Sequence, residues 1–340
     1  MKNLFKTARV AFLLFATTFI LSCDKDSDST LTIPQDNTIT GKAVATPNLS
    51  ILVQALSKAN LTITLQGNGP YTVFAPTNEA FTTFLAANNY ANLDAVPVPA
   101  LTQILLNHVI SGKSLSTDLS DNTYVKTLGK GNASTTNTLS MYVAKSASGG
   151  VKLNGVSNVS TANIVASNGI IHIVDAVIGL PTIKTHALAN SQTFSTLVAA
   201  LSFNPADNFV ATLDTTTGAV VPFTVFAPTN SAFSAFLTEL SPPPAAPATL
   251  AGIPAATLTK VLKYHVVTGT NAISAGLTDA QSIPTFQGTN VTVQKTTTAG
   301  VTTIKIKDTT PNRAACTVVV ADVQCSNGVI HALDKVLLPN

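Results

Sequence analysis

The sequence predicts a duplicated fold, one domain of roughly 150 residues built from helices and strands and present twice. Three observations predict it. The pentapeptide Phe74-Ala75-Pro76-Thr77-Asn78 recurs unchanged as Phe226-Ala227-Pro228-Thr229-Asn230. A second phrase closes each half, Asn168-Gly169-Ile170-Ile171-His172-Ile173-Val174-Asp175 and Asn327-Gly328-Val329-Ile330-His331-Ala332-Leu333-Asp334. Between these phrases, apolar stripes of helical period and Thr/Val-rich alternating stretches follow one another in the same order. A repeat this long lets each copy bury its own core, unlike solenoid repeats of about 20–50 residues.

The elements can be justified in order. An early helix carries Leu49, Leu52, Val53 and Leu56, and its counterpart Phe194, Leu197, Val198 and Leu201. Both follow the i, i+3, i+4, i+7 pattern of a helix with one buried face. A short strand follows, residues 71–74 and 223–226, which Pro76 and Pro228 stop because proline donates no ladder bond. Thr77-Asn78 and Thr229-Asn230 supply N-caps for the next helix. That helix buries Phe81, Phe84 and Leu85, or Phe233, Phe236 and Leu237. A third helix shows Leu101, Ile104, Leu105 and His108, matched by Leu258, Val261, Leu262 and His265. Stretches such as 291–294 and 301–307 read as strands, and an Asn-Gly turn opens each closing run. The offset between copies grows from 145 (Leu49 to Phe194) to 159 (Asn168 to Asn327). Insertions at Asp214 to Ala219 and Ser241 to Pro244 account for part of the drift and read as surface loops. The boundary between copies falls near Pro181 to Thr185, which gives domains over residues 43–182 and 183–340.

The N-terminus reads as an address. Lys2, Lys6 and Arg9 precede an apolar run from Val10 to Leu21, too short to span a bilayer but suited to a signal peptide over residues 1–22. Ile20-Leu21-Ser22-Cys23 resembles a bacterial lipobox, with Cys23 lipidated; an ordinary cleaved signal with an incidental cysteine is the alternative. Several acyl chains on Cys23 would anchor the chain to a membrane. Residues 23–42 are polar and read as a flexible, lipidated tether. The acidic cluster Asp24 to Asp28 resembles a surface-export signal of bacterial lipoproteins and directs the expected location to the outer membrane or cell surface.

Composition excludes some classes. The formal net charge of +3 belongs to the leader: without it, Lys+Arg falls from 19 to 16 against 16 acidic residues. No basic run remains for nucleic acid. The chain has no Trp for stacking platforms of the kind common in sugar sites. Gly-x-Ser-x-Gly, Cys-x-x-Cys and His-Glu-x-x-His signatures are missing, and Glu79 and Glu239 are the only glutamates. Neither a catalytic residue, a metal nor a cofactor is therefore expected. The loops Gly67-Asn68-Gly69 and Gly129-Lys130-Gly131 read as turns. His108 and His265 fall at the edge of an apolar helical stripe, with one nitrogen hydrogen-bonded. His172 and His331 precede Asp175 and Asp334 by three strand positions, hence on opposite faces. His186 reads as a linker residue. Cys316 and Cys325 either form a local disulfide or remain thiols; Ser157 and Ala166 take their places in the first copy.

With these residues assembled, the chain resembles the fasciclin domain family from about Ala45 to Asn340. The carriers are Tyr71 to Phe81 and Asn168 to Asp175, their second-copy equivalents, and Tyr264-His265, which matches the family's Tyr-His pair. Asn107-His108 departs from that pair by losing the Tyr. The resemblance implies an α+β fold of two tandem fasciclin-like domains, each a β-sandwich-like wedge with packed helices. It also implies extracellular adhesion to a matrix, a cell-surface protein or a polysaccharide, with Asn107, His108, Tyr264 and His265 as a candidate adhesion surface. The expectation is thus a lipid-anchored, non-enzymatic adhesion or binding protein. The second expectation is an accessory component, binding a glycan or small ligand, of an envelope uptake system.

Overall fold

The computed structural model describes residues 36–241 and 248–340. The signal segment, Cys23, the acidic cluster and Pro242 to Pro244 lie outside the described residues. Among the described residues no helix is long and apolar enough to cross a membrane.

The first copy runs α1 (Ile39–Val44), α2 (Ser50–Lys58), α3 (Thr62–Gln66), β1 (Tyr71–Pro76), α4 (Asn78–Ala87), α5 (Val98–Asn107), β2 (Val109–Ser111), β3 (Thr123–Gly131), β4 (Ser134–Lys145), β5 (Val151–Leu153), β6 (Ser157–Ala166) and β7 (Gly169–Val174). The second runs α6 (Ile183–Ala189), α7 (Ser191–Leu201), α8 (Phe209–Thr212), β8 (Phe223–Pro228), α9 (Asn230–Leu240), α10 (Ala255–Tyr264), β9 (Val266–Val267), β10 (Ser282–Pro284), β11 (Asn290–Thr298), β12 (Val301–Lys307), β13 (Cys316–Cys325) and β14 (Gly328–Leu333). The first seven strands close a barrel, and the second seven form a sheet in the order β10-β11-β12-β13-β14-β8-β9. This is the expected α+β fold, two tandem domains with a barrel-like sheet and packed helices in each.

The two repeated phrases are neighbours in space. β1 pairs in parallel with β7, Tyr71 opposite Gly169 and Pro76 opposite Val174. β8 pairs in parallel with β14 in the same register, Phe223 opposite Gly328. A parallel pair needs a long crossover, and nearly the whole domain lies between its members. Each copy holds two cores. One packs the helices onto the central strands, with Leu52, Leu56, Phe81 and Leu101 in the first copy and Phe194, Leu197, Phe233 and Leu258 in the second. The other fills the sheet's interior, around Phe74, Met141 and Leu153 or Phe226, Val293 and Ile306.

Caps explain where helices begin. The Thr77 hydroxyl accepts from Ala80 N and the Thr229 hydroxyl from Ala232 N, satisfying donors left free in the first turn. Thr182 and Thr185 form a reciprocal capping box at α6. Residues 39–42, assigned to the tether by their polarity, are instead the start of α1. Thr38 caps that helix, and Ile39 and Thr40 are buried.

The copies dock through polar contacts. Lys126 Nζ donates across the junction to Asp322 O at 2.7 Å and, within its own copy, to Ser140 Oγ at 3.0 Å. Gln324 N donates to Ser140 Oγ at 3.0 Å, and Ala133 N to Ser326 O at 2.9 Å. Gly129-Lys130-Gly131 is not a turn but the end of β3. A Cβ on Gly131 would lie 2.3 Å from Ser326 Cα, so only glycine permits this approach. His186, read as a linker residue, is fully buried in α6 against Tyr124, ring centroids 5.4 Å apart.

The disulfide alternative does not hold. Cys316 and Cys325 are both free and buried. They begin and end one strand, and nine strand steps separate them by roughly 30 Å, far beyond disulfide reach.

Candidate functional site

Asn107, His108, Tyr264 and His265 were expected at a surface. They are 0%, 2%, 0% and 2% exposed, so the structure removes them from any adhesion face. The reason lies in their bonding. His108 ends α5, its Nδ1 2.7 Å from Ile104 O, while Nε2 accepts from Ile178 N at 2.9 Å. His265 ends α10 in the same way, with Nδ1 2.8 Å from Val261 O and Nε2 accepting from Leu337 N at 2.8 Å. Nδ1–H therefore donates and Nε2 accepts, which is the neutral imidazole. Both nitrogens are used, where the sequence suggested one. Burial lowers both rings from 6.5 to about 4, because a charged imidazolium there would lose its hydration. Each ring ties a helix end to the segment that leaves its domain's closing strand.

The residue before each histidine is also bonded internally. Asn107 Nδ2 donates to Gly179 O at 3.0 Å, and its Oδ1 accepts from Thr127 Oγ1 at 3.1 Å. Tyr264 OH donates to Asn290 O at 2.9 Å and accepts from Thr309 N at 3.2 Å. The Tyr-to-Asn difference between copies thus changes which internal groups are tied. It alters no exposed feature.

His172 and His331 are equally occupied. Their Nε2 atoms lie 2.9 Å from Ser114 O and 2.8 Å from Ala272 O. Their rings stack on Phe74 and Phe226, the first residues of the repeated pentapeptide. Burial lowers both below the ordinary histidine value. Asp175 meanwhile accepts from Asn158 N at 2.7 Å, and Asp334 from Thr317 N at 2.6 Å, so neither completes a His-Asp dyad. Among the described residues no group of three or more His, Cys, Asp or Glu could hold a metal ion.

Two matched asparagine pairs carry roles that the sequence did not reveal. Asn78 Oδ1 accepts from Ile51 N at 2.9 Å, and Asn230 Oδ1 from Thr196 N at 2.9 Å. Asn78 thereby ties the start of α4 to α2, and Asn230 ties the start of α9 to α7, while threonine caps each helix itself. Asn168 accepts from Ile39 N at 2.9 Å and donates to Leu65 O and Gly67 O at 2.7 and 2.8 Å. Asn327 does the same with Ile183 N, Leu213 O and Thr215 O at 3.0, 2.9 and 2.8 Å. Their identity in both copies was the available signal; an N-cap reading of Asn78 and Asn230 and a turn reading of Asn168 and Asn327 explained it too early.

With the matched histidines consumed internally, what faces solvent is different. The penultimate strand of each copy exposes valine, Val165 on β6 at 65% and Val319 on β13 at 54%. At the junction two open grooves run between α4, the β5–β6 turn and α6.

Comparison with known proteins agrees with this architecture. The family model described as "Fasciclin domain" matches residues 47–181 and 192–339. Protein sll1483 of Synechocystis sp. is 38% identical over 151 residues, 44% of this chain and 70% of that protein. Human periostin is 25% identical over 280 residues, 81% of this chain but 29% of periostin, so this chain spans under a third of that relative. Immunogenic protein MPB70 of Mycobacterium bovis is 33% identical over 155 residues, 45% of this chain and 67% of that protein. A solved FAS1 domain pair from the insect cell adhesion molecule fasciclin I aligns with a TM-score of 0.51 at 22% identity, covering 86% of this chain and 97% of that one.

Proposed function

The chain belongs to the fasciclin domain family, and from that premise we propose that it is a lipid-anchored, non-enzymatic adhesion protein of the bacterial outer membrane or cell surface. Cys23 would carry the lipid, and the partner would be a matrix, a cell-surface protein or a polysaccharide. One observation carries the reading. The two copies form one compact body in which the matched histidines serve packing, leaving the outer strand faces for contact. Val165 and Val319, exposed on corresponding strands, are the natural anchors of those faces. Two weak contacts on one body raise the effective concentration of the second once the first has formed.

The test uses exposed positions, so that folding is preserved. Val165→Asp and Val319→Asp are made singly and together, and attachment of protein-coated beads to extracellular matrix and to polysaccharide surfaces is measured. Each single variant should weaken attachment, and the pair should weaken it more than the sum. Attachment of the double variant at wild-type level on every surface would remove the reading.

A second reading, an accessory binder of a glycan or small ligand in an envelope uptake system, is favoured by the open grooves at the junction. Binding of one soluble oligosaccharide on a glycan array, without attachment to surfaces, would select it over adhesion.

A further inference from the structure

We propose that the junction between the copies holds a binding site for a single-chain anionic amphiphile, a long-chain fatty carboxylate. Its hydrocarbon would lie along α4 and its carboxylate beside Lys152 and the Asn154 amide. The site does not depend on the adhesion reading.

The geometry comes first. One groove of about 520 Å³ and another of about 630 Å³ share Asn154, Val156 and Thr185 in their walls, so they adjoin. Each falls in the range of about 300–1,000 Å³ typical of small-molecule sites. The turn Asn154-Gly155-Val156 between β5 and β6 stands where they meet. That turn is pressed onto α6, since a Cβ on Gly155 would lie 3.1 Å from Ala189 Cα. Val156 and Leu188 stand on the lips, 54% and 52% exposed.

Asn154 supplies an independent sign of a ligand. It is 2% exposed, and its Oδ1 accepts from Tyr142 N at 2.7 Å. Its Nδ2 has no protein partner. A buried amide donor left unsatisfied is uncommon in folded proteins and calls for an acceptor. Both grooves are lined by this residue.

Polarity then selects the class of ligand. The groove along α4 is lined by Ala80, Phe84, Ala87, Val177 and Leu180 and by no charged side chain. The other groove carries Lys152, Lys184 and Asp214. Lys184 is paired with Asp214 at 3.0 Å, whereas exposed Lys152 has no ion pair among the described residues. The result is an apolar slot opening onto a net positive end, with a free amide donor at the joint. A hydrocarbon tail with a terminal carboxylate matches that order.

The second copy shows the same space filled from within. There, eight residues, Asp308 to Ala315, replace the three-residue turn. Arg313 from this loop donates to Val336 O at 2.5 Å and to Glu239 Oε2 of α9 at 3.2 Å. Val336 and α9 correspond to Val177 and α4, which border the open groove of the first copy. The shorter turn leaves that groove for an outside molecule.

The test is displacement of the fluorescent fatty-acid analogue dansylundecanoate by oleate from the purified full chain. Oleate should displace it saturably, one molecule per chain, below its micellar range. Lys152→Glu should weaken oleate about tenfold, as should Asn154→Asp, which keeps the acceptor for Tyr142 N but replaces the donor with an anionic oxygen. Ala87→Trp, at an exposed position, should abolish binding by occupying the slot. Oleyl alcohol should bind at least tenfold more weakly than oleate. Thermal unfolding of Lys152→Glu and Ala87→Trp, matched to wild type, establishes that these variants are folded. The proposal is overturned if wild type shows no saturable displacement, if the folded Lys152→Glu and Ala87→Trp variants bind as wild type does, or if the alcohol binds as tightly as the acid.

Discussion

Lowering the pH from 7 to 5 should destabilise the protein, and His265 allows the effect to be isolated. Burial holds this imidazole near 4 against an ordinary 6.5. Its Nε2 must stay unprotonated to accept from Leu337 N. The unfolded chain therefore binds a proton at higher pH than the folded one. Stability is full above about 6.5 and is lost as pH falls toward 4, levelling below it. Between pH 7 and 5 a shift of this size corresponds to about 2 kcal/mol for one histidine. For a domain of roughly 150 residues that is a fall in Tm of about 4–8 °C. His108 adds a similar amount in the first copy, its ring also being held near 4. The assay is urea unfolding at pH 7.0, 6.0 and 5.0 for wild type and His265→Gln. The variant should be weaker at pH 7, because Leu337 N loses its acceptor at a cost of about 1–3 kcal/mol. It should also have a shallower pH slope, by close to one proton near pH 5.5. Equal slopes in the two proteins would refute the account, since the titrating group would then be elsewhere.

Three further outcomes follow from particular contacts. Asp308→Ala leaves Arg313 without the carboxylate it meets at 3.0 Å, whose side chain is only 1% exposed. It should cost about 3–5 kcal/mol in chemical denaturation, and Arg313→Met in the same background should restore part of it. Gly131→Ala should loosen the junction without entering either core, because the added carbon meets Ser326 backbone; hydrogen exchange at Ala133 and Ser326 should rise while core amides stay protected. Reductant should leave the Tm unchanged, since both thiols are free, and Cys316, pushed up to about 12 by burial, should react with a thiol reagent only on unfolding.

Much of the architecture is legible in the sequence. Helical stripes such as Leu101, Ile104 and Leu105 arise from the backbone's own period, so they appear in the sequence whatever they pack against. The strand-to-helix corner is likewise local, because proline ends the strand and threonine caps the helix within a few residues. Polarity misled at residues 39–42, where a short amphipathic turn buries only one side.

Duplication, the succession of elements and family membership are written in repeated local patterns. The fate of the polar side chains is not, and emerges only in the folded chain. Asn168 reaches Ile39 across 129 residues and Asn327 reaches Ile183 across 144. Whether Tyr264 and His265 face solvent depends on which chain segment closes over them, and no local spacing encodes that. The docking of the copies and the groove beside Asn154 have the same origin. They come from surfaces far apart in the chain, and the physical cause is long-range complementarity of shape and hydrogen bonding.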